Sequence, residues 1–292
     1  MIKSTLKLVA AIVLFASCNS YEKAPSGMMY KITHSSGNEK IIKNGQIVKF
    51  NLEYKIKSKN FVLMTTADQM PGYIQYDSVG FASASYTFQE IMGKIRKGDK
   101  VEFSLSVDSL IRKGQIPGYD TTFLKGDFIL GKIEILEIFA TPELVNADEI
   151  KEKLKYKEKQ IKPIKDYLSK NKINAKETQE GIFVVIKNIG DTTNKIDSSK
   201  QVTVNYKGYH LNGEVFDTNI KPGDTTAKPF PVRIFESQVI GGWHYGLLSF
   251  AKGGTGTIYI PSYLAYGPKG SGKIKPNEPI AFDIEVVDVK KK

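Results

Sequence analysis

The chain repeats itself. Gly27-Met28-Met29-Tyr30-Lys31-Ile32 returns as Gly181-Ile182-Phe183-Val184-Val185-Ile186, and Gln46-Ile47-Val48-Lys49-Phe50 returns as Gln201-Val202-Thr203-Val204-Asn205. Ile95-Arg96-Lys97-Gly98-Asp99-Lys100-Val101 lines up with Phe250-Ala251-Lys252-Gly253-Gly254-Thr255-Gly256, and Ile133-Glu134-Ile135-Leu136-Glu137-Ile138 with Ile284-Glu285-Val286-Val287-Asp288-Val289. The offset stays between 151 and 155 residues at all four places. Chance supplies one such echo; four in order at a near-constant offset indicate two copies of one fold. A chain of 292 residues has room for two ordinary domains and little else.

Each copy is dominated by strands. Val202-Thr203-Val204-Asn205-Tyr206 and Thr257-Ile258-Tyr259-Ile260 are β-branched and aromatic, and Phe282-Asp283-Ile284-Glu285-Val286 alternates cleanly. A helix of about two turns is expected over Trp243 to Ala251, stopped by Gly253-Gly254. Antiparallel strands with one short helix make an α+β domain. Between the copies, Ala147-Asp148-Glu149 reads as a helix start, and Ile150, Leu154, Ile161, Ile164 and Leu168 recur at roughly helical spacing among lysines. Pro163 is expected to kink that helix or split it in two. The segment reads as a charged spacer, with a membrane-surface role as the alternative.

The N-terminus reads as an export signal. Lys3 and Lys7 precede the apolar run Leu8 to Ala16, which is too short to span a bilayer. The run ends at Cys18, the sole cysteine of the chain. Phe15-Ala16-Ser17-Cys18 resembles the lipobox of bacterial lipoproteins, with Phe15 where an aliphatic residue is usual; the alternative is a plain secretory signal with an incidental cysteine. A lipidated Cys18 leaves no disulfide within the chain, so each domain must stand on its core. The formal charge of +11 comes from lysines concentrated between Lys151 and Lys176 and at Lys290-Lys291-Lys292. No aromatic-interleaved basic motif accompanies them, which argues against nucleic acid.

In the second copy, Val204-Asn205-Tyr206-Lys207-Gly208 is followed by Phe216-Asp217-Thr218, Lys228-Pro229-Phe230 and Val239-Ile240-Gly241-Gly242-Trp243. Ile260-Pro261-Ser262, Ala265-Tyr266-Gly267 and Pro276 to Asp283 complete the series. In order and spacing these residues resemble the FK506-binding (FKBP) type of peptidyl-prolyl cis-trans isomerase. The resemblance implies a curved antiparallel sheet wrapped on the short helix, enclosing an aromatic hollow. It implies that Trp243 forms the floor of a proline pocket. It gives Tyr206, Phe216, Phe230, Val239, Ile240, Tyr266 and Phe282 as walls, with Ile274 from the following loop and Asp217 at the edge. The Ile240 N–H and the Tyr266 hydroxyl are the implied donors to peptide carbonyls. Two departures border the pocket: a longer loop containing Lys221-Pro222-Gly223-Asp224, and a Gly- and Lys-rich loop from Gly267 to Lys275.

Such a pocket suits the reaction. Rotation about a prolyl C–N bond loses amide resonance against a barrier of roughly 18–20 kcal/mol. The twisted amide has less charge separation than the planar one, so a dry aromatic site binds it preferentially. That chemistry requires no nucleophile, metal or cofactor. His34, His210 and His244 lack metal-ligand spacing and read as exposed or core-edge residues. In the first copy, Leu52, Leu63, Met64, Phe88 and Ile111 fall where Tyr206, Phe216, Asp217, Trp243 and Tyr266 stand, so that copy is expected to lack isomerase activity.

The expected plan is a signal peptide at 1–17, a lipidated Cys18 and tether at 18–26, and a degenerate FKBP-like domain at 27–140. A charged helical linker at 141–177 and the isomerase domain at 178–292 follow. The function implied is isomerisation of X-Pro bonds in exported or envelope proteins, with proline-containing peptides and unfolded clients as partners and the bilayer reached through Cys18. The alternative is a non-catalytic peptide-binding chaperone or scaffold of an envelope secretion or motility apparatus. The segment Asp166 to Ile186 bears a weaker resemblance to gliding-motility-associated isomerase lipoproteins. Asn19, rather than Asp, after the cysteine favours the outer membrane.

Overall fold

The fold is given by a computed structural model describing residues 20–35, 39–80, 86–220 and 228–292. Cys18, the signal segment and Lys221-Pro222-Gly223-Asp224 lie outside the described residues. Two compact units divide the chain, the first running to Val145 and the second from Asn146 to Lys292, with Asp68–Met70 grouped with the second.

The first unit contains β1 (Glu22–Lys23), β2 (Met29–Thr33), β3 (Ile47–Ile56), β4 (Phe61–Thr65) and β5 (Gly72–Gln75). A 3₁₀ turn at Phe88–Lys94, β6 (Lys100–Ser106), α1 (Val107–Arg112) and β7 (Phe128–Phe139) complete it. Its antiparallel sheet runs β1-β2-β6-β7-β3-β4, with β5 also paired to β3. After α2 (Pro142–Lys170), the second unit contains β8 (Lys176–Glu177), β9 (Phe183–Asn188), β10 (Asp191–Lys195), β11 (Lys200–His210), β12 (Val215–Thr218) and β13 (Phe230–Arg233). It closes with α3 (Gly241–Leu247), β14 (Ala251–Lys252), β15 (Thr255–Ile260) and β16 (Ile280–Lys291). Its main sheet runs β8-β9-β15-β16-β11-β12, with β13 on β11.

The two paths are the same, down to the register. In the first unit a bulge falls between Lys49 and Phe50, and Phe50 pairs with Ile135. In the second it falls between Thr203 and Val204, and Val204 pairs with Val286. A bulge re-aims every side chain beyond it, so a shared bulge keeps the inner faces equivalent. Val48, Phe50, Leu52 and Ile56 point into the first core; Val202 and Val204 point into the second.

Two helix expectations are corrected. The short helix spans Gly241–Leu247 rather than Trp243 to Ala251, because Ala251 is already engaged in β14 against β10. It starts at Gly241, and Gly242 packs so closely on β15 that an added Cβ would lie 2.2 Å from Ile260. The long helix begins at Pro142, whose missing N–H costs nothing at a helix start, and it runs unbroken through Pro163. An interior proline costs about 3 kcal/mol. Ile161, Ile164 and Leu168 are buried against Phe183, Tyr259 and Ala281 on the outer face of the second sheet. Three buried aliphatic side chains, at about 1.5–3 kcal/mol each, outweigh the proline. Leu144, Ile150 and Leu154 remain exposed, so only the C-terminal half of the apolar stripe meets a partner.

Candidate active site

Strand β11 carries Tyr206 on its inner face and β16 carries Phe282 opposite the neighbouring Gly208. Gly208 is a steric requirement: a Cβ there would lie 2.6 Å from the Phe282 ring and 2.8 Å from the Phe216 ring. Those two rings meet edge-on, with centroids 5.6 Å apart. Phe216 is the unpaired residue of a bulge between β11 and β12, since Gly208 pairs with Asp217 and Tyr209 with Val215. The bulge turns Phe216 inward beside Phe282 while Asp217 keeps its register at the rim.

Helix α3 supplies the floor. Trp243 is buried, and three rings stand nearly perpendicular to it: Tyr206 at 5.0 Å, Phe282 at 5.2 Å and Phe230 at 6.0 Å. Edge-to-face packing of this kind suits aromatic quadrupoles and leaves ring faces turned to the hollow. The indole Nε1 is buried with no partner among the described residues. Val239, Ile240 and Tyr266 pack partly buried against the same core, and Ile274 is buried within it. Phe230 is 40% exposed and so forms the open side. All ten residues expected at the pocket therefore fall on one inner surface and its rim.

The polar groups stand at the rim. The Tyr206 hydroxyl donates to Asp217 Oδ2 at 2.9 Å. Burial, and then this carboxylate, push the Tyr206 phenol up to about 12. Burial also raises Tyr266, with the Asp217 charge adding to it. Both phenols are consequently neutral donors throughout the physiological range. Tyr266 has no hydrogen-bond partner among the described residues, which leaves its proton for a ligand. Ile240 precedes α3 in extended backbone, its carbonyl accepting from the Trp243 N–H at 3.0 Å. Its own N–H makes no such bond among the described residues. A well of aromatic faces with free donors at its edge can hold an apolar ring and orient the carbonyls flanking it.

Three supports escaped the sequence reading. Asn219 accepts the Tyr206 N–H at 2.7 Å and donates to the Val204 and Lys228 carbonyls, so it stands in for a strand beside β11. An asparagine in a loop gives no sequence signal for this. His210 is buried rather than edge-lying. It meets Glu278 at 2.8 Å and the Phe216 ring at 5.2 Å, joining the end of β11 to the loop that carries Ile274. His244 is also buried, and its Nδ1 accepts the Phe235 N–H at 3.1 Å.

The first unit fills the equivalent hollow from within. By register, Gly131 stands where Phe282 does and Gly72 where Phe230 does. Phe103 and Phe50 replace Ile258 and Val204. The Phe103 ring lies over Gly131 so closely that a Cβ there would be 2.0 Å away, and Phe50 covers Gly72 in the same manner. Phe88, in place of Trp243, packs against both rings at 5.5 and 6.1 Å. Two wall aromatics are replaced by glycine and two buried sheet aliphatics by phenylalanine.

A family model described as FKBP-type peptidyl-prolyl cis-trans isomerase matches residues 192–287. Residues 192–287 carry an FKBP-type domain. Its segment is 42% identical over 93 residues to "Peptidyl-prolyl cis-trans isomerase Mip" of Coxiella burnetii, covering 32% of this chain and 38% of the relative. It is 39% identical over 122 residues to "Probable FKBP-type peptidyl-prolyl cis-trans isomerase" of Haemophilus influenzae, covering 41% and 47%. A crystal structure of FkpA from Escherichia coli aligns at 31% identity and a TM-score of 0.36, over 51% of this chain and 71% of that one. The FKBP-type match spans less than half the length of these curated relatives.

Proposed function

We propose that the FKBP-type unit of this chain isomerises X-Pro peptide bonds, acting as a foldase for exported or envelope proteins. The observation that carries the reading is the well itself: Trp243 beneath, with Tyr206, Phe230 and Phe282 set edge-on around it. A prolyl ring seated on the indole leaves its imide bond in a site poor in acceptors, where the planar, charge-separated amide is least favoured. The Ile240 N–H and the Tyr266 hydroxyl orient the flanking carbonyls, and Asp217 holds Tyr206 in place. No residue forms a covalent bond to the substrate. Lowering a barrier of about 18–20 kcal/mol by differential binding is the whole of the chemistry.

Placement at the envelope follows from the export signal and lipobox-like Cys18, with the lipid chain holding the protein to a membrane and the outer membrane favoured by Asn19. The first unit, its hollow filled, is assigned no turnover. The functional test is the slow refolding phase of a protein whose folding waits on proline isomerisation, an event of tens to hundreds of seconds when uncatalysed. Catalytic amounts of the full chain should shorten that phase in proportion to their concentration. An unchanged phase, with a prolyl peptide still bound by the chain, would make the unit a peptide-binding module instead.

A further inference from the structure

The segment that brings Tyr266 to the pocket is held from outside the pocket, by helix α2. Pro261 to Ala265 forms one tight turn, with the Leu264 N–H on the Pro261 carbonyl at 3.0 Å and the Ala265 N–H on the Ser262 carbonyl at 2.9 Å. The turn divides its side chains between two cores. Leu264, Ala265 and Tyr266 pack with the pocket core around Trp243. Tyr263 packs with α2 in the separate cluster on the outer face of the sheet.

Each tie on the outer side is specific. The Ser262 hydroxyl donates to Gln160 Oε1 of α2, and Ser262 is wholly buried while Gln160 is 6% exposed. The Tyr263 ring lies 6.3 Å from Tyr156, one helical turn before Gln160. Burial pushes the Tyr263 phenol up to about 12, so it stays protonated and donates to the Glu180 carbonyl. Next to it, Gly181 takes φ +90° and leaves no room for a Cβ between the Tyr263 hydroxyl and Ile161 of the helix. A buried side-chain amide on a helix with this many lysines is costly unless its partner is fixed. Gln160 and Ser262 fix each other.

We propose that Gln160 is a positioning residue for the isomerase site: through Ser262 it sets the turn that presents the Tyr266 hydroxyl, which makes α2 a working part of the FKBP-type unit rather than a spacer. This rests on the isomerase reading given above. The helix, its rigid pin and Tyr266 form a chain in which Ser262 lies inside the turn and Tyr266 directly follows it. Removing the pin should leave the rings of Tyr206, Phe282 and Trp243 in place, because they stand on β11, β16 and α3. What changes is the spread of positions open to the Tyr266 hydroxyl.

A double-mutant cycle on the full chain tests this. Gln160→Met keeps the side-chain volume and removes the amide, Ser262→Ala removes the partner, and each is combined with Tyr266→Phe. Gln160→Met and Ser262→Ala should each lower kcat/KM about fivefold, the order of one net hydrogen bond. In the Tyr266→Phe background the same changes should have an effect of less than about twofold, because the group they position is gone. Equal fold-losses in both backgrounds, or no loss in either, overturns the proposal, since a merely structural role gives additive effects. Peptide affinity, read from the emission of Trp243 as the sole tryptophan, is measured on the same proteins. A wild-type chain that binds peptide without turnover defeats the isomerase reading alone, and the coupling is then decided by affinity. A chain that does neither defeats both.

Discussion

The Tyr206 hydroxyl reaches Asp217 at 2.9 Å across the bulge that turns Phe216 inward, so one hydrogen bond ties the pocket wall to its rim. Replacing the carboxylate tests its role. Asp217→Leu should leave the fold intact, since β12 keeps its backbone pairing, and lower kcat/KM about fivefold, a magnitude discounted for the exposure of the pair. The Tyr206 phenol should fall from about 12 toward its ordinary value, seen by NMR titration of labelled tyrosine. An unmoved titration would mean that the bond does not persist in solution.

Trp243 is floor and core at once. Trp243→Ala should destabilise the second unit by about 3–5 kcal/mol, the usual range for aromatic truncation. Trp243→Leu leaves a smaller cavity; it should fold, lose less stability than Trp243→Ala and lose turnover. Urea unfolding followed by circular dichroism separates the two variants.

Phe88 supplies the opposite case. Phe88→Ala should destabilise the first unit by about 3–5 kcal/mol, because it packs against Phe50 and Phe103 in a filled core. Turnover should not change while the second unit stays folded. Loss of activity in a folded Phe88→Ala protein would move the site to the wrong unit.

His244 makes stability depend on pH. Burial lowers its pKa below the ordinary histidine value, and its Nδ1 must be unprotonated to accept the Phe235 N–H. Phe235 sits at φ +63°, which is costly for an aromatic residue, so this bond steadies an unfavourable backbone. The unfolded chain binds the proton first as pH falls. The stabilisation is therefore complete above the unfolded pKa of about 6.5, and is lost as pH falls through the lower folded value. The urea midpoint should drop as pH falls below about 6.5 in the parent and drop less in His244→Leu. Equal slopes would remove His244 from the account.

The repeat, the strands and the pocket aromatics were legible in sequence because each is a local pattern. Val202-Thr203-Val204 and Phe282-Asp283-Ile284 alternate as strands must, and Trp243 follows its glycines at fixed spacing. The exchange of Phe282 for Gly131 and Ile258 for Phe103 was not legible. It appears only when cross-strand register is known, and the register of the central strand pair shifts at a bulge in each copy. Which part of the α2 stripe is buried was not legible for a related reason. Ile150 and Leu154 have the same spacing as Ile164 and Leu168, and only the sheet decides which pair is buried. The same docking explains why Pro163 fails to break the helix. Asn219 and Gln160 are polar residues whose roles exist only through distant partners, Tyr206 and Ser262.

The central claim is that turnover belongs to the well above Trp243. Exchange NMR of a short Xaa-Pro peptide, without protease, measures the cis-trans rate directly in the presence of the parent chain and of Trp243→Leu. The account predicts a rate rising linearly with parent protein and staying near the uncatalysed value with Trp243→Leu, while both proteins are folded. Equal acceleration by the two, or none by a parent that binds the peptide, would contradict it.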